Sequence, residues 1–245
     1  MLSGITFWFK ETDASFDALP RHRLFHSVHT GLRQLLGLVD APRPKLAITV
    51  DHLVHIHSTL NASSFIDARN WCMAVFAFFG LLRVSEYTGG RLRWRDVCVT
   101  DTAVYLTIPY SKADLSPATV ALSARPDMLC PVKAYLWYRS FFAATPSSDS
   151  AFFVVEPSSS SAVLKTSFQT ALKTWVRSVL HLDPAAYASH SLRRGGATAL
   201  MEAGVSEVLI ASHGRWHSLA YRLYLEFSGS RMLMPTSLLA KYRHF

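Results

Sequence analysis

Ile66-Asp67-Ala68-Arg69-Asn70-Trp71-Cys72-Met73-Ala74-Val75-Phe76-Ala77-Phe78-Phe79-Gly80-Leu81-Leu82-Arg83-Val84-Ser85-Glu86 is the stretch that decides the fold. Residues 66–82 are apolar on nearly every side, as a helix is only when it is buried all round. The uninterrupted apolar run, Trp71 to Leu82, is too short to cross a bilayer, which needs roughly 20 residues. Arg69 and Arg83 bracket it. The spacing therefore predicts a central helix of a folded core, with Arg83 at its end.

On the N-terminal side, Thr49 or Asp51 can cap a helix carrying Leu53, Val54, Ile56 and Leu60. On the C-terminal side, Gly89-Gly90 marks a break, followed by strand-like stretches at Trp94–Thr100, Ala103–Pro109 and Ala118–Leu122. Val104, Leu106 and Ile108 alternate with Tyr105 and Thr107, the pattern of a half-buried strand. Tyr110 to Asp114 is a polar turn between the second and third strands. Pro131 suits the first turn of a helix running to about Phe142. Ala151–Glu156 reads as a short strand between two serine-rich loops. Helices are expected over about 163–180, 190–204, 206–213 and 216–227, with a terminal one after Pro235. The fold class expected is mainly α with a small antiparallel β-sheet (α+β).

Composition narrows the partners. Lys and Arg number 25 against 17 Asp and Glu, a formal charge of +8 and a pI near 9.6. That balance suits a polyanion, since each neutralised phosphate releases counterions. Half the chain is hydrophobic, which supports a sizeable core. The three cysteines, Cys72, Cys98 and Cys130, show no metal spacing and read as buried, reduced thiols. Nothing predicts a membrane span or a secretion signal. Residues 1–40 hold a helical segment, about Leu24 to Leu38. A basic proline linker, Asp40 to Lys45, leads into residues 41–245.

His190-Ser191-Leu192-Arg193 puts a histidine and an arginine three residues apart, on one helical face. With Arg83, Trp216 and a late tyrosine, these types can attack a phosphodiester without a metal. Arginines hold phosphate oxygens through forked, charge-assisted bonds. A histidine moves a proton near neutral pH. Tyr224 can become a covalent nucleophile, with Tyr221, one turn earlier, as its competitor. The Trp216 indole can donate one hydrogen bond. No convincing cluster of carboxylates offers a metal site.

In order and spacing, these boxes resemble the catalytic domain of the tyrosine recombinases, the phage-integrase family. Gly80 to Glu86 resembles its first arginine box, and His190 to Arg193 its H-x-x-R box. Gly214-Arg215-Trp216-His217-Ser218, through Ala220 to Tyr224, resembles the ending of eukaryotic DIRS-type and Crypton-type recombinases. The resemblance runs from about Leu46 to Tyr224. It implies DNA cleavage and rejoining through a 3′-phosphotyrosyl bond, with no metal, ATP or cofactor. It implies catalytic roles for Arg83, Lys112, His190, Arg193, Trp216 and Tyr224. Lys112 would be the general acid from a β-hairpin, and Glu86 would orient the basic side chains. Trp216 stands one residue nearer the tyrosine than is common in bacterial members, which leaves His213 and His217 as substitutes.

The family precedes this domain with a helical core-binding domain, of which residues 1–40 would be a remnant. The partners implied are double-stranded DNA and further copies of the chain, as a DNA-bound tetramer in which the tail 228–245 docks on a neighbour. Localisation would be nuclear in a eukaryote and cytoplasmic otherwise. Two alternatives share much of this sequence evidence: a type IB topoisomerase-like activity, and a domesticated DNA-binding protein whose chemistry is idle.

Overall fold

The computed structural model describes residues 28, 31, 32, 45–109 and 116–216. The chain divides into two units, Met1–Pro44 and Lys45–Phe245. Of the expected N-terminal helix only residues 28, 31 and 32 are described, and they are helical; the expectations placed on Lys112, His217, Tyr221, Tyr224 and the tail lie outside the described residues. Everything below concerns the second unit.

The first helix, α1 (Val50–Ser58), is capped by Thr49 rather than Asp51. The Thr49 hydroxyl accepts from His52 N at 3.2 Å, and His52 Nδ1 accepts from Thr49 N at 3.2 Å. The central helix, α2 (Phe65–Phe79), starts at a Ser64 cap and is buried from Ala68 to Phe78. It stops three residues short of the expected Leu82. Gly80 ends it, Leu81 takes a left-handed φ of 46°, and Leu82 N donates to Ala77 O at 3.0 Å. That is a Schellman turn, which closes the carbonyls a helix end leaves open. Arg83 consequently does not end α2. It precedes a new four-residue helix, α3 (Val84–Tyr87).

Three antiparallel strands follow in the order β1 (Val97–Val99), β2 (Ala103–Ile108), β3 (Ala118–Ser123). In β2, Val104, Leu106 and Ile108 face the core while Tyr105 and Thr107 face out. The strand expected from Trp94 begins only at Val97. Residues Trp94–Asp96 form a 3₁₀ turn, in which Asp96 Oδ2 accepts from Arg93 N at 2.9 Å and pulls the backbone out of extension. Cys72 and Cys130 are buried, but Cys98 is exposed, because it sits on the outward side of β1.

The helical half comprises α4 (Pro131–Arg139), α5 (Lys165–Ser178), α6 (His190–Glu202) and α7 (Glu207–Gly214). The expected strand at 151–156 forms only isolated bridges, Arg93 to Ala151 and Val154 to Ala162. Arg69 takes up the Val154 and Val155 carbonyls there instead. α2 packs against α4 and α6. Gly195 lets α6 approach the segment before α1, and Gly196 lets it approach α2. A Cβ at Gly195 would lie 1.7 Å from Ile48 O, and one at Gly196 2.0 Å from Phe78 O. Two glycines at α6's second turn thus let Arg193, just before them, reach the end of α2. No described helix is long and apolar enough to cross a membrane.

Candidate active site

Two helix ends meet here, and both end the same way. α7 stops at Gly214, after which Arg215 takes φ 56° and ψ 49°. Arg215 N donates to Ser212 O and Trp216 N to Ala211 O, each at 3.0 Å, a second Schellman turn. The C-terminal ends of α2 and α7 carry the negative poles of their helix dipoles. Arginines occupy both.

Arg193 is 1% exposed. Its Nη1 donates to Leu81 O, the turn that ends α2, and its Nη2 donates to Gly214 O at 2.6 Å, the turn that ends α7. The Trp216 ring covers the guanidinium at 4.1 Å. Gly214 is required for that placement, since a Cβ there would fall 1.7 Å from a Trp216 ring carbon. Trp216 also packs on Leu81, Ala197, Met201 and Ile210. It therefore covers Arg193.

Arg83 is the more accessible clamp, its side chain 27% exposed. Glu86, 5% exposed, binds it twice, through Arg83 N at 2.7 Å and Nη1 at 2.8 Å. The same carboxylate accepts from Arg215 Nη2 at 2.8 Å. Arg215 appears in the sequence motif but not among the expected site residues. Here it is buried, and it shares the Glu86 carboxylate with Arg83 and the Leu81 carbonyl with Arg193, which links the three arginines. Three positive charges against one negative leave an excess that an anion would neutralise.

His190 opens α6, partly exposed and partly covered by its neighbours. Burial of its ring by packed neighbours is the main reason its pKa falls below the ordinary 6.5, and repulsion from Lys165, Arg193 and Arg83 adds to the effect. The same three cations place His190 beside the arginine cluster. Lys165, the first residue of α5, was not foreseen. It is reached because Gly89 N donates to Val163 O at 2.8 Å, drawing the start of α5 alongside the residues after α3. His213, one proposed substitute for Trp216, has its Nε2 2.7 Å from Phe79 O, so it ties α7 to α2.

The structure thus brings Arg83, Glu86, His190, Arg193 and Trp216 together, and adds Arg215 and Lys165. β2 and β3 pair from Ala103–Ser123 to Ile108–Ala118, so the segment holding Lys112 joins their ends.

The structure is thus a mainly helical domain with a three-stranded sheet, in which arginines gather where the ends of α2 and α7 meet. The Phage integrase family profile matches residues 47–223, and the chain belongs to that family. The fold is that of solved recombinases. A XerA recombinase is 15% identical at a TM-score of 0.59, over 84% of this chain and 67% of that one. A XerH site-specific recombinase bound to palindromic difH substrate, in a post-cleavage complex, is 18% identical at 0.55, over 82% of this chain and 55% of that one. A lambda integrase dimer bound to a core site is 14% identical at 0.54, over 92% and 63%. The chain thus spans just over half the length of the XerH chain. No curated protein matches it.

Proposed function

We propose that this chain cleaves and rejoins DNA as a tyrosine recombinase. The observation that carries the reading is the arginine cluster about Glu86, beside His190, in a member of the phage integrase family. In this account the Tyr224 oxygen attacks a DNA phosphorus, supported by Arg83 and Arg193 on the non-bridging oxygens. The phosphorus–O5′ bond breaks, and the leaving oxygen takes a proton from Lys112. A 3′-phosphotyrosyl bond results, and an incoming 5′ hydroxyl reverses the step. His190, its pKa lowered, is neutral at physiological pH and able to accept a proton.

The GRW ending supports a DIRS-type or Crypton-type mobile-element enzyme, acting in a nucleus as a DNA-bound tetramer. Incubation with a nicked suicide duplex, then a denaturing gel, tests the reading. A covalent protein–DNA band is expected, and strand exchange between two duplexes with it. Plasmid relaxation without exchange would favour the topoisomerase-like alternative. DNA binding without a covalent band would leave only a binding protein.

A further inference from the structure

Arg215 occupies a backbone position that favours glycine. Its φ of 56° and ψ of 49° lie in the left-handed region, where a side chain is unwelcome. The side chain is nonetheless present, and buried to 8% exposure. Nη1 donates to His213 O at 3.0 Å and Gly80 O at 3.3 Å. Nη2 donates to Leu81 O at 3.2 Å and Glu86 Oε2 at 2.8 Å. Its own carbonyl accepts from Arg83 Nη2 at 3.2 Å.

Three of these bonds lead to the two clamps. Arg83 is held at Nη2 by the Arg215 carbonyl and at Nη1 by Glu86, which Arg215 itself holds. Leu81 O, which receives Arg193, receives Arg215 as well. The turn after α7 therefore sets the turn after α2, and both arginines with it. A fork of several donors in one plane can do this, where a lysine's single point charge cannot. Both Nη atoms of Arg215 donate to protein acceptors, one of them the carboxylate that also holds Arg83.

We propose that Arg215 is a positioning residue for the phosphate clamp: its side chain holds Glu86 and the end of α2 so that Arg83 and Arg193 present fixed guanidiniums. The proposal rests on the recombinase reading for its catalytic consequence, though not for its geometry.

Arg215→Gly is the sharpest test, since glycine keeps the left-handed turn and removes only the side chain. Half-saturation of duplex DNA should stay within about threefold of wild type. Single-turnover cleavage of the nicked suicide duplex should fall on the order of 10²-fold, as a misplaced clamp does. Arg215→Lys should fall between the two. The double variant Glu86→Gln with Arg215→Gly should be no worse than the poorer single variant, because both remove one linkage. Phenylglyoxal labelling, mapped by mass spectrometry, reads the geometry without cleavage. Arg83 should label several-fold faster in Arg215→Gly, having lost the partner that holds Glu86. If Arg215→Gly melts below the assay temperature, Arg215→Lys carries the same readouts. Cleavage within threefold of wild type, additive losses in the double variant, or unchanged Arg83 labelling would each overturn the proposal. Absence of any covalent product from wild type would instead sink the recombinase reading, and the labelling would still decide the role of Arg215.

Discussion

Around Phe152, rings meet rings: Trp94 at 4.7 Å, Tyr138 at 5.7 Å and Phe76 at 6.1 Å. The Tyr138 hydroxyl there is answered locally, donating to Phe152 O at 2.7 Å. Just beyond the C-terminal end of the same α2 helix, the buried groups include Arg193, Glu86 and Arg215. The first region follows the gain from removing apolar surface from water. The second works against it. Burying ions costs several kcal/mol apiece unless bonds offset it, and apolar residues of similar volume often serve stability as well or better. Two helix ends and the guanidinium bonds among the described residues offset that cost. Stability alone gives no reason for it, whereas a phosphate that must be met by fixed charge does.

If the two regions differ in purpose, substitutions should separate stability from chemistry. The largest effect is expected at Phe152→Ala, which should lower unfolding free energy by about 3–5 kcal/mol through lost burial and a cavity. Urea melts measure it, and cleavage per folded molecule should be unchanged. A loss below about 1 kcal/mol would mean the aromatic cluster is not the main core. Arg83→Ala should invert the pattern. Being partly exposed, with Glu86 still held by Arg215, it should cost at most about 1 kcal/mol of stability. Cleavage should drop on the order of 10²-fold, equivalent to about 2.7 kcal/mol. Undiminished cleavage would break the comparison.

Thr49 belongs to neither region; it caps α1 beside the Ile48 N to Ser191 O bond. Thr49→Ala should cost about 1 kcal/mol in a melt and leave cleavage alone, so a selective loss of cleavage would tie the cap to the site. The smallest effect concerns pH. His190 has a lowered pKa, so its contribution to stability is present above its unfolded value and is lost as pH falls through the folded one. The acid limb of the single-turnover rate should follow that folded pKa. Lys165→Ala removes one repelling cation, so the limb should move to higher pH. An unmoved limb would assign it to another group.

Much of this was legible in sequence because it is local. The run from Ala68 to Phe78 announces burial, the alternation at Val104 to Ile108 announces a strand, and Pro131 marks the first turn of α4. The resemblance to the recombinase family put Arg83, Glu86, His190 and Arg193 in one expected site, and Arg83 and Glu86 do meet. What was not legible depends on contacts far apart in the chain. Arg215 meets Glu86 across 129 residues, and Arg193 meets Leu81 across 112. No periodicity encodes such pairs. The early end of α2 was hidden because Leu81, not glycine, takes the left-handed position. Arg215 does the same after α7, so neither Schellman turn carries its usual glycine at that place. The strand expected at Trp94 failed for a local reason, the Asp96 side chain bonding back to Arg93 N.

The central claim is that the charged cluster serves covalent attack on a DNA phosphate by Tyr224. The direct measurement is mass spectrometry of the adduct trapped on a nicked suicide duplex in EDTA, with wild type, Tyr224→Phe and Tyr221→Phe compared. The account predicts a phosphotyrosyl peptide containing residue 224 in wild type and in Tyr221→Phe, and no adduct with intact DNA binding in Tyr224→Phe. An adduct that persists in Tyr224→Phe, or one that forms only when a divalent metal is supplied, would contradict it.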